Sequence, residues 1–321
     1  MKRRSLLQIT AITATTLVAV YFAIGLFFYH FALNANATQS RTVGEKHYIS
    51  SPAIDAEREL QEREKDRDFL QTIAPEVMTI TSHDELALQG YVYEQPTPTN
   101  DWVFAAHGYT GSARQMTRWN RQLYELGYNV FVPDLRGHGE SEGNHYGMGW
   151  LDQPDLQLWL EQLVTRSPDA RITLYGVSMG ASAVLNLAST SLPSQVQAVI
   201  ADSGFTSVAS IFETQLHSIF HLPSFPIMNA ANTVSQLRIG LDFDEASTLA
   251  QVQNIQLPVL YIHGAEDTFV PQENVYKLAD ATKAEHFVWV VEEATHAEAV
   301  KVEPDNYRAR VDAFIQQHVN E

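Results

Sequence analysis

Short, largely apolar runs at residues 102–106, 130–133, 172–175, 196–201, 259–262 and 287–291 recur through this chain, separated by helix-like stretches. Each run is continuous rather than alternating, as expected of a strand buried on both faces of a parallel sheet. The intervening helices begin near Ser112, Gln153, Met179, Pro271 and Pro304. Strand–helix alternation at this spacing predicts an α/β fold with a mostly parallel, doubly wound sheet. Residues 77–81 and 86–93 alternate apolar and polar around Ser82-His83-Asp84-Glu85, which predicts a β-hairpin ahead of that sheet. Between 201 and 259 the rhythm stops. Phe212, Leu216, Ile219 and Phe220 share a helical face there, and Pro223 and Pro226 follow. A stretch this long without a strand predicts a helical cap, at about 203–257.

The N-terminus has a different character. Lys2, Arg3 and Arg4 precede a stretch, residues 6–40, that lacks any Asp, Glu, Lys or Arg, and residues 11–33 are its most apolar part. About 20 apolar residues cross a bilayer as a helix. Basic residues before the run and none just after predict a cytoplasmic N-terminus, with the remaining chain outside. Two other readings stay open. Ala35-Asn36-Ala37 resembles a signal-cleavage site, which would release the protein, and the run could instead be a core helix. Residues 1–40 are therefore expected to be a membrane anchor or signal-like segment. Residues 41–76 are expected to be a charged linker or stalk, with the mixed-charge stretch from Asp55 to Asp68 a solvated helix or stalk, and 77–321 the globular domain.

Composition excludes some functions. The net charge is −17 although the first forty residues carry only bases, so the body is more acidic still. With no basic stripe to offset this, nucleic acid is not an expected partner. Cysteine is absent, which removes thiolate catalysis, cysteine-bound metal and disulfides.

The chemistry is carried by Gly176-Val177-Ser178-Met179-Gly180, directly after one apolar run and before a small-residue helix. A G-x-S-x-G turn between strand and helix pushes the serine out at the top of the sheet, beside a helix N-terminus that favours developing negative charge. Ser178 is thus the candidate nucleophile. It needs a base and an orienting carboxylate on later loops, in the order serine, acid, histidine. Asp267, beyond the strand and turn at 259–264, and His296, after the last strand, fit that order. Asp202, also at a strand's end, and Glu266 are rivals for the acid. His286 precedes its strand, at the wrong end of the sheet. His263 and His107 read as structural, and His217 and His221 as surface residues of the cap. Two backbone N–H groups should hold the oxyanion: Met179, just after the nucleophile, and Tyr109, in His107-Gly108-Tyr109-Thr110-Gly111.

With these residues, the chain from about Val77 onward resembles the α/β-hydrolase superfamily. The resemblance rests on His107-Gly108, on Asp134-Leu135-Arg136-Gly137-His138-Gly139-Glu140-Ser141, on the serine turn, on His263-Gly264 with Asp267, and on Thr295-His296. Within it, the chain looks similar to membrane-anchored bacterial hydrolases and to cinnamoyl/feruloyl esterases, which carry a comparable loop after the first histidine and a helical insertion before the acid. The resemblance implies an α/β-hydrolase fold and the roles of Ser178, Asp267 and His296, with no metal or organic cofactor required. The expected activity is hydrolysis of small to medium, apolar or aromatic carboxylic esters through an acyl-enzyme. Two alternatives remain: a thioesterase or peptidase using the same triad, and a non-catalytic binding protein on this fold. Phe205, Phe212 and Phe220, with Ile211, Leu222, Phe225 and Met228, either line the pocket or simply pack the cap.

Overall fold

The computed structural model describes residues 2–37 and 50–319. β1 (Glu76–Thr81) and β2 (Ala87–Tyr93) form the antiparallel hairpin, with Ile80 opposite Leu88. β3 (Asp101–Ala106), β4 (Asn129–Pro133), β5 (Arg171–Val177), β6 (Val196–Asp202), β7 (Val259–Gly264) and β8 (His286–Val291) come next along the chain. Across the sheet the order is β1-β2-β4-β3-β5-β6-β7-β8. β2 joins β4 antiparallel, and every neighbouring pair from β4 to β8 is parallel.

The helices are α1 (Lys2–Ala32), α2 (Ala56–Thr72), α3 (Thr117–Glu125), α4 (Gln153–Arg166), α5 (Met179–Ala188), α6 (Val208–Gln215), α7 (Ser224–Ile239), α8 (Glu273–Ala281) and α9 (Pro304–Val319). Trp159 of α4, Val184 of α5 and Val275 of α8 share one apolar core with Phe104 and Leu174. Leu123 of α3 and Phe314 of α9 share the other with Val103 and Tyr175. Adjacent residues of one strand therefore bury into opposite layers, and that is why the strands read as unbroken apolar runs. The parallel register brings the carboxyl ends of β3, β5, β6, β7 and β8 to one edge, where the loops carrying residues 107, 178, 267 and 296 meet. α6 and α7, with the helical turn Leu216–Phe220 between them, form the cap over that edge.

Two segments depart from expectation. The charged stretch expected to be a solvated stalk is α2, which lies against α3. Arg118 bonds to Glu59 (3.0 Å) and Asp66 (2.7 Å), and Arg121 to Asp66 (2.8 Å), to Glu62 and to Glu125 (2.9 Å). Both guanidinium groups are buried, and Phe69 enters the core. Mixed charge in sequence thus marks an ion-pair seam rather than a free surface. Nearer the N-terminus, Ser50 and Ser51 bond the buried Glu298. The expected boundary between residues 40 and 41 lies outside the described residues.

The other departure is α1. From Leu7 to Ala32 it is long and apolar enough to cross a membrane, and most of its apolar surface is exposed. Its last three turns, from Tyr21 onward, nevertheless pack on the cap. A Cβ on Gly25 would stand 2.3 Å from the Ala230 carbonyl oxygen, so the absence of a side chain is what lets α1 approach α7 there. Tyr29 and Leu33 are buried, and Tyr21 hydrogen-bonds Thr233.

Candidate active site

Ser178 sits between β5 and α5 with φ 57°, a left-handed conformation that costs a non-glycine residue energy and persists only when its surroundings enforce it. The flanking glycines are required by contact. A Cβ on Gly176 would fall 2.2 Å from the Gly180 carbonyl oxygen, and one on Gly180 would fall 2.1 Å from that of Ala106. The turn is therefore pressed directly against β3, and Ser178 stands at the N-terminus of α5.

A continuous hydrogen-bond relay runs through three loops. The Ser178 hydroxyl donates to His296 Nε2 (2.8 Å), and His296 Nδ1 donates to Asp267 Oδ2 (2.7 Å). Asp267 Oδ1 accepts the backbone N–H groups of Phe269 (2.9 Å) and Val270 (2.8 Å). Burial works to raise the Asp267 carboxyl. The charge and hydrogen bonds of His296 and His263 outweigh it and hold the group well below the usual carboxylate range.

The rivals are placed elsewhere. The Asp202 carboxylate accepts from Tyr307 (2.7 Å) and from Ser203 (2.9 Å), while His296 Nδ1 bonds Asp267 instead. Burial pushes its carboxyl up. Glu266 is exposed. His286 pairs with Val259 at the far end of the sheet, and His217 and His221 are exposed on the cap. His107 donates from Nδ1 to the Gly108 carbonyl (2.8 Å) and accepts the Leu135 N–H at Nε2 (3.0 Å). Both nitrogens are committed to shaping the loop, and burial holds the ring neutral by lowering its pKa. His263 is buried with Nε2 donating to the Val270 carbonyl (2.8 Å) and lying 3.3 Å from Asp267 Oδ2. It thus braces the acid, a closer involvement than simple packing.

Tyr109 and Met179, the expected oxyanion donors, flank the nucleophile. Tyr109 lines the same cavities as Ser178, and Met179 opens α5. The loop is held from outside: the Tyr109 hydroxyl donates to the Ala32 carbonyl at the end of α1 (2.6 Å). That carbonyl is among those a helix end leaves without an internal partner. Glu298, buried, accepts from Thr295 (2.6 Å) and so steadies the loop carrying His296.

Two spaces meet at Ser178. One is an open cleft bordered by Thr110, Ser112, Gln115 and Trp119. The other is a narrower, almost wholly apolar cavity reaching Phe205, Ile211, Phe212 and Ile219, with about 620 Å³ of empty volume including its mouth. Of the expected contacts, Phe205 and Phe212 line the cavity beside Ser178. Phe220 lines the neighbouring apolar cavity instead, packing edge-on against Phe28 and Phe31 of α1 (5.2 and 5.0 Å between centroids). Leu222 and Phe225 are exposed rather than lining. Sequence reasoning missed Phe269, whose ring lies 4.9 Å from that of His296, along with Met148, Phe31 and Ala32. The only sequence signal among these is the position of Phe269 two residues beyond the acid.

The sheet order, the strained serine turn and the three-loop relay coincide with a family match. Residues 97–236 fit the family model described as "Serine aminopeptidase, S33". The chain belongs to the α/β-hydrolase superfamily. The esterase Pf2001 of Pyrococcus furiosus superposes on this hydrolase with a TM-score of 0.65 at 24% identity, covering 79% of this chain and 94% of that one. The uncharacterised protein YqkD of Bacillus subtilis is 27% identical over 71% of this chain and 75% of its own length. The lysophosphatidylserine lipase ABHD12 of Danio rerio is 30% identical over 50% of this chain and 42% of its own.

Proposed function

We propose that this α/β-hydrolase is a membrane-anchored serine esterase working through an acyl-enzyme. The observation that carries the reading is the unbroken relay Asp267–His296–Ser178. His296 takes the hydroxyl proton as Ser178 Oγ attacks the ester carbonyl. The backbone N–H groups of Tyr109 and Met179 hold the oxyanion, and the C–O bond breaks as His296 returns the proton to the leaving alcohol. Water, deprotonated by the same ring, then releases the acid. The apolar cavity suits the acyl part and the open cleft the alcohol. A small-molecule ester is favoured over an aminopeptide because, among the described residues, no Asp or Glu lines either space at Ser178. A free α-ammonium would need one.

Anchoring is supported by the way α1 joins the body. The Leu33 carbonyl accepts from Tyr146 (2.9 Å) and the Ala35 N–H donates to Asn144 (3.1 Å), so the chain enters the body directly after the apolar helix. Retention of α1 with the body outside the cytoplasm is the resulting location, and release after signal cleavage is the competing one. A fluorophosphonate applied to the full chain in detergent, with peptide mapping of the product, tests the chemistry. We expect adduct on Ser178 in the wild type and none in His296→Ala. A folded wild type without adduct would sink the serine mechanism. An aminoacyl anilide hydrolysed faster than p-nitrophenyl acetate or a thioester would move the reading to a peptidase.

A further inference from the structure

The apolar cavity at Ser178 does not end at the cap. Its wall includes Phe31 and Ala32, from the last turn of α1. A second apolar cavity, bordered by Phe28, Ile227 and Met228, shares Phe31, Ala32, Phe212, Gln215 and Ile219 with the first. The two lie end to end across these shared residues, one at the nucleophile and the other at the seam between α1 and the cap.

The outer end of this two-part track is greasy on the outside too. Phe225, 77% exposed, lies two residues before Ile227 of the outer wall, and Phe27, exposed on α1, packs against Phe220, which lines the same cavity. Apolar side chains displayed together on the flank of an apolar helix cost free energy in water and none in lipid. Residues 7–20 of α1, which precede the Tyr21–Thr233 contact, would span about 21 Å at the helical rise, so a hydrocarbon core of about 30 Å extends past them to the flank of the cap. A span placed there sets the cap, and the outer end of the track, on the membrane surface.

We propose that the end of α1 is part of the substrate site. The substrate is a single-chain, long-chain acyl ester drawn from the outer leaflet along α1. Its acyl chain lies in the track between Phe31, Ala32 and the cap, and its carbonyl meets Ser178. Its polar alcohol part occupies the open cleft beside Thr110, Ser112 and Gln115. One narrow track beside one nucleophile takes one chain. This rests on the serine-esterase and anchor readings above, and the chemistry is the same acyl transfer.

The test uses the full chain in lipid nanodiscs, with p-nitrophenyl acetate and p-nitrophenyl dodecanoate as substrates. The wild type should prefer dodecanoate by at least tenfold in kcat/KM. Ala32→Phe from α1 and Ile219→Trp from the cap, each adding bulk to the track, should lower that preference at least tenfold. Leu17→Ala, on the exposed part of the span, should leave the preference as in wild type. A readout without variants uses a long-alkyl fluorophosphonate with a terminal diazirine. Once on Ser178 and illuminated, it should crosslink to residues 28–32. Crosslinks confined to the open cleft around Trp119, or an unchanged chain-length preference in both folded variants, overturn the proposal. Wild type that takes no fluorophosphonate and cleaves neither ester overturns the esterase reading instead, so the two failures are distinguishable.

Discussion

Asp267 shows how one carboxylate serves both chemistry and fold. One oxygen holds His296 and the other caps two backbone amides. Asp267→Asn should lower kcat on p-nitrophenyl acetate by about 10³–10⁴ with little change in KM, because the histidine loses its tautomer and its counter-charge. Asp202→Asn should leave kcat within about tenfold, since its partners are Tyr307 and Ser203. Equal losses in the two variants would contradict the assignment. The depressed Asp267 carboxyl also stabilises the fold. Its folded pKa lies below its unfolded value of about 4, so its contribution is full above that pH and disappears as pH falls through the folded value. The stability gap between wild type and Asp267→Asn should therefore be widest above pH 4 and narrow in stronger acid, as denaturation across that range would reveal.

Among the elements, α2 and α4 carry the clearest consequences. Arg121 is buried among Glu62, Asp66 and Glu125, and Arg121→Ala would leave those carboxylates facing a poorly hydrated seam. Because the carboxylates keep some contact with water, the expected cost is about 2–3 kcal/mol, below that of a fully buried pair. Urea denaturation measures it, and a change under about 0.5 kcal/mol would show that the seam is decorative. At the start of α4, Asp152 is wholly buried and accepts the Gly149 N–H (2.7 Å). Burial first, then the neighbouring Asp155, push its carboxyl up to about 7. The folded state keeps a proton that the unfolded chain releases near pH 4, so this group lowers stability by about 1.4 kcal/mol per unit as pH rises from there to about 7. Asp152→Asn should remove that slope, leaving the variant progressively more stable than wild type toward neutral pH. Parallel profiles for the two proteins would place the proton elsewhere.

At the scale of the molecule, α1, long and apolar enough to cross a membrane, reaches the active site. Its end walls the apolar cavity, its final carbonyl tethers Tyr109, and Gly25, two turns before that end, packs on α7. Gly25→Val would drive a side chain into the Ala230 carbonyl and Val234. Backbone cannot yield cheaply there, so α1 must move off the cap. Thermal unfolding of the full chain in detergent should begin several degrees lower, in line with the ~1–3 kcal/mol of an overpacked contact. An unchanged transition would mean that α1 and the cap are energetically independent.

The sequence by itself determined whatever depends on near neighbours. Continuous apolar runs specified strands buried on both faces, the glycines around Ser178 specified the strained turn, and chain order placed an acid and a histidine after it. Each is written in a few consecutive residues, because strand period, turn strain and helix onset are local properties of the backbone. The sequence already favoured Asp267 over Asp202 and Glu266 by its place after the strand and turn, while only packing shows that its carboxylate is the one bonded to His296. Tertiary structure alone turned the charged stretch at 55–68 from an expected stalk into an ion-pair seam, because the guanidinium groups it meets come from α3. It alone brought Ala32 to Tyr109 and Phe31 to the cavity at Ser178. Contacts between segments so far apart depend on how the whole sheet and cap close around them, and no local pattern in α1 distinguishes an exposed residue from one that meets the active site.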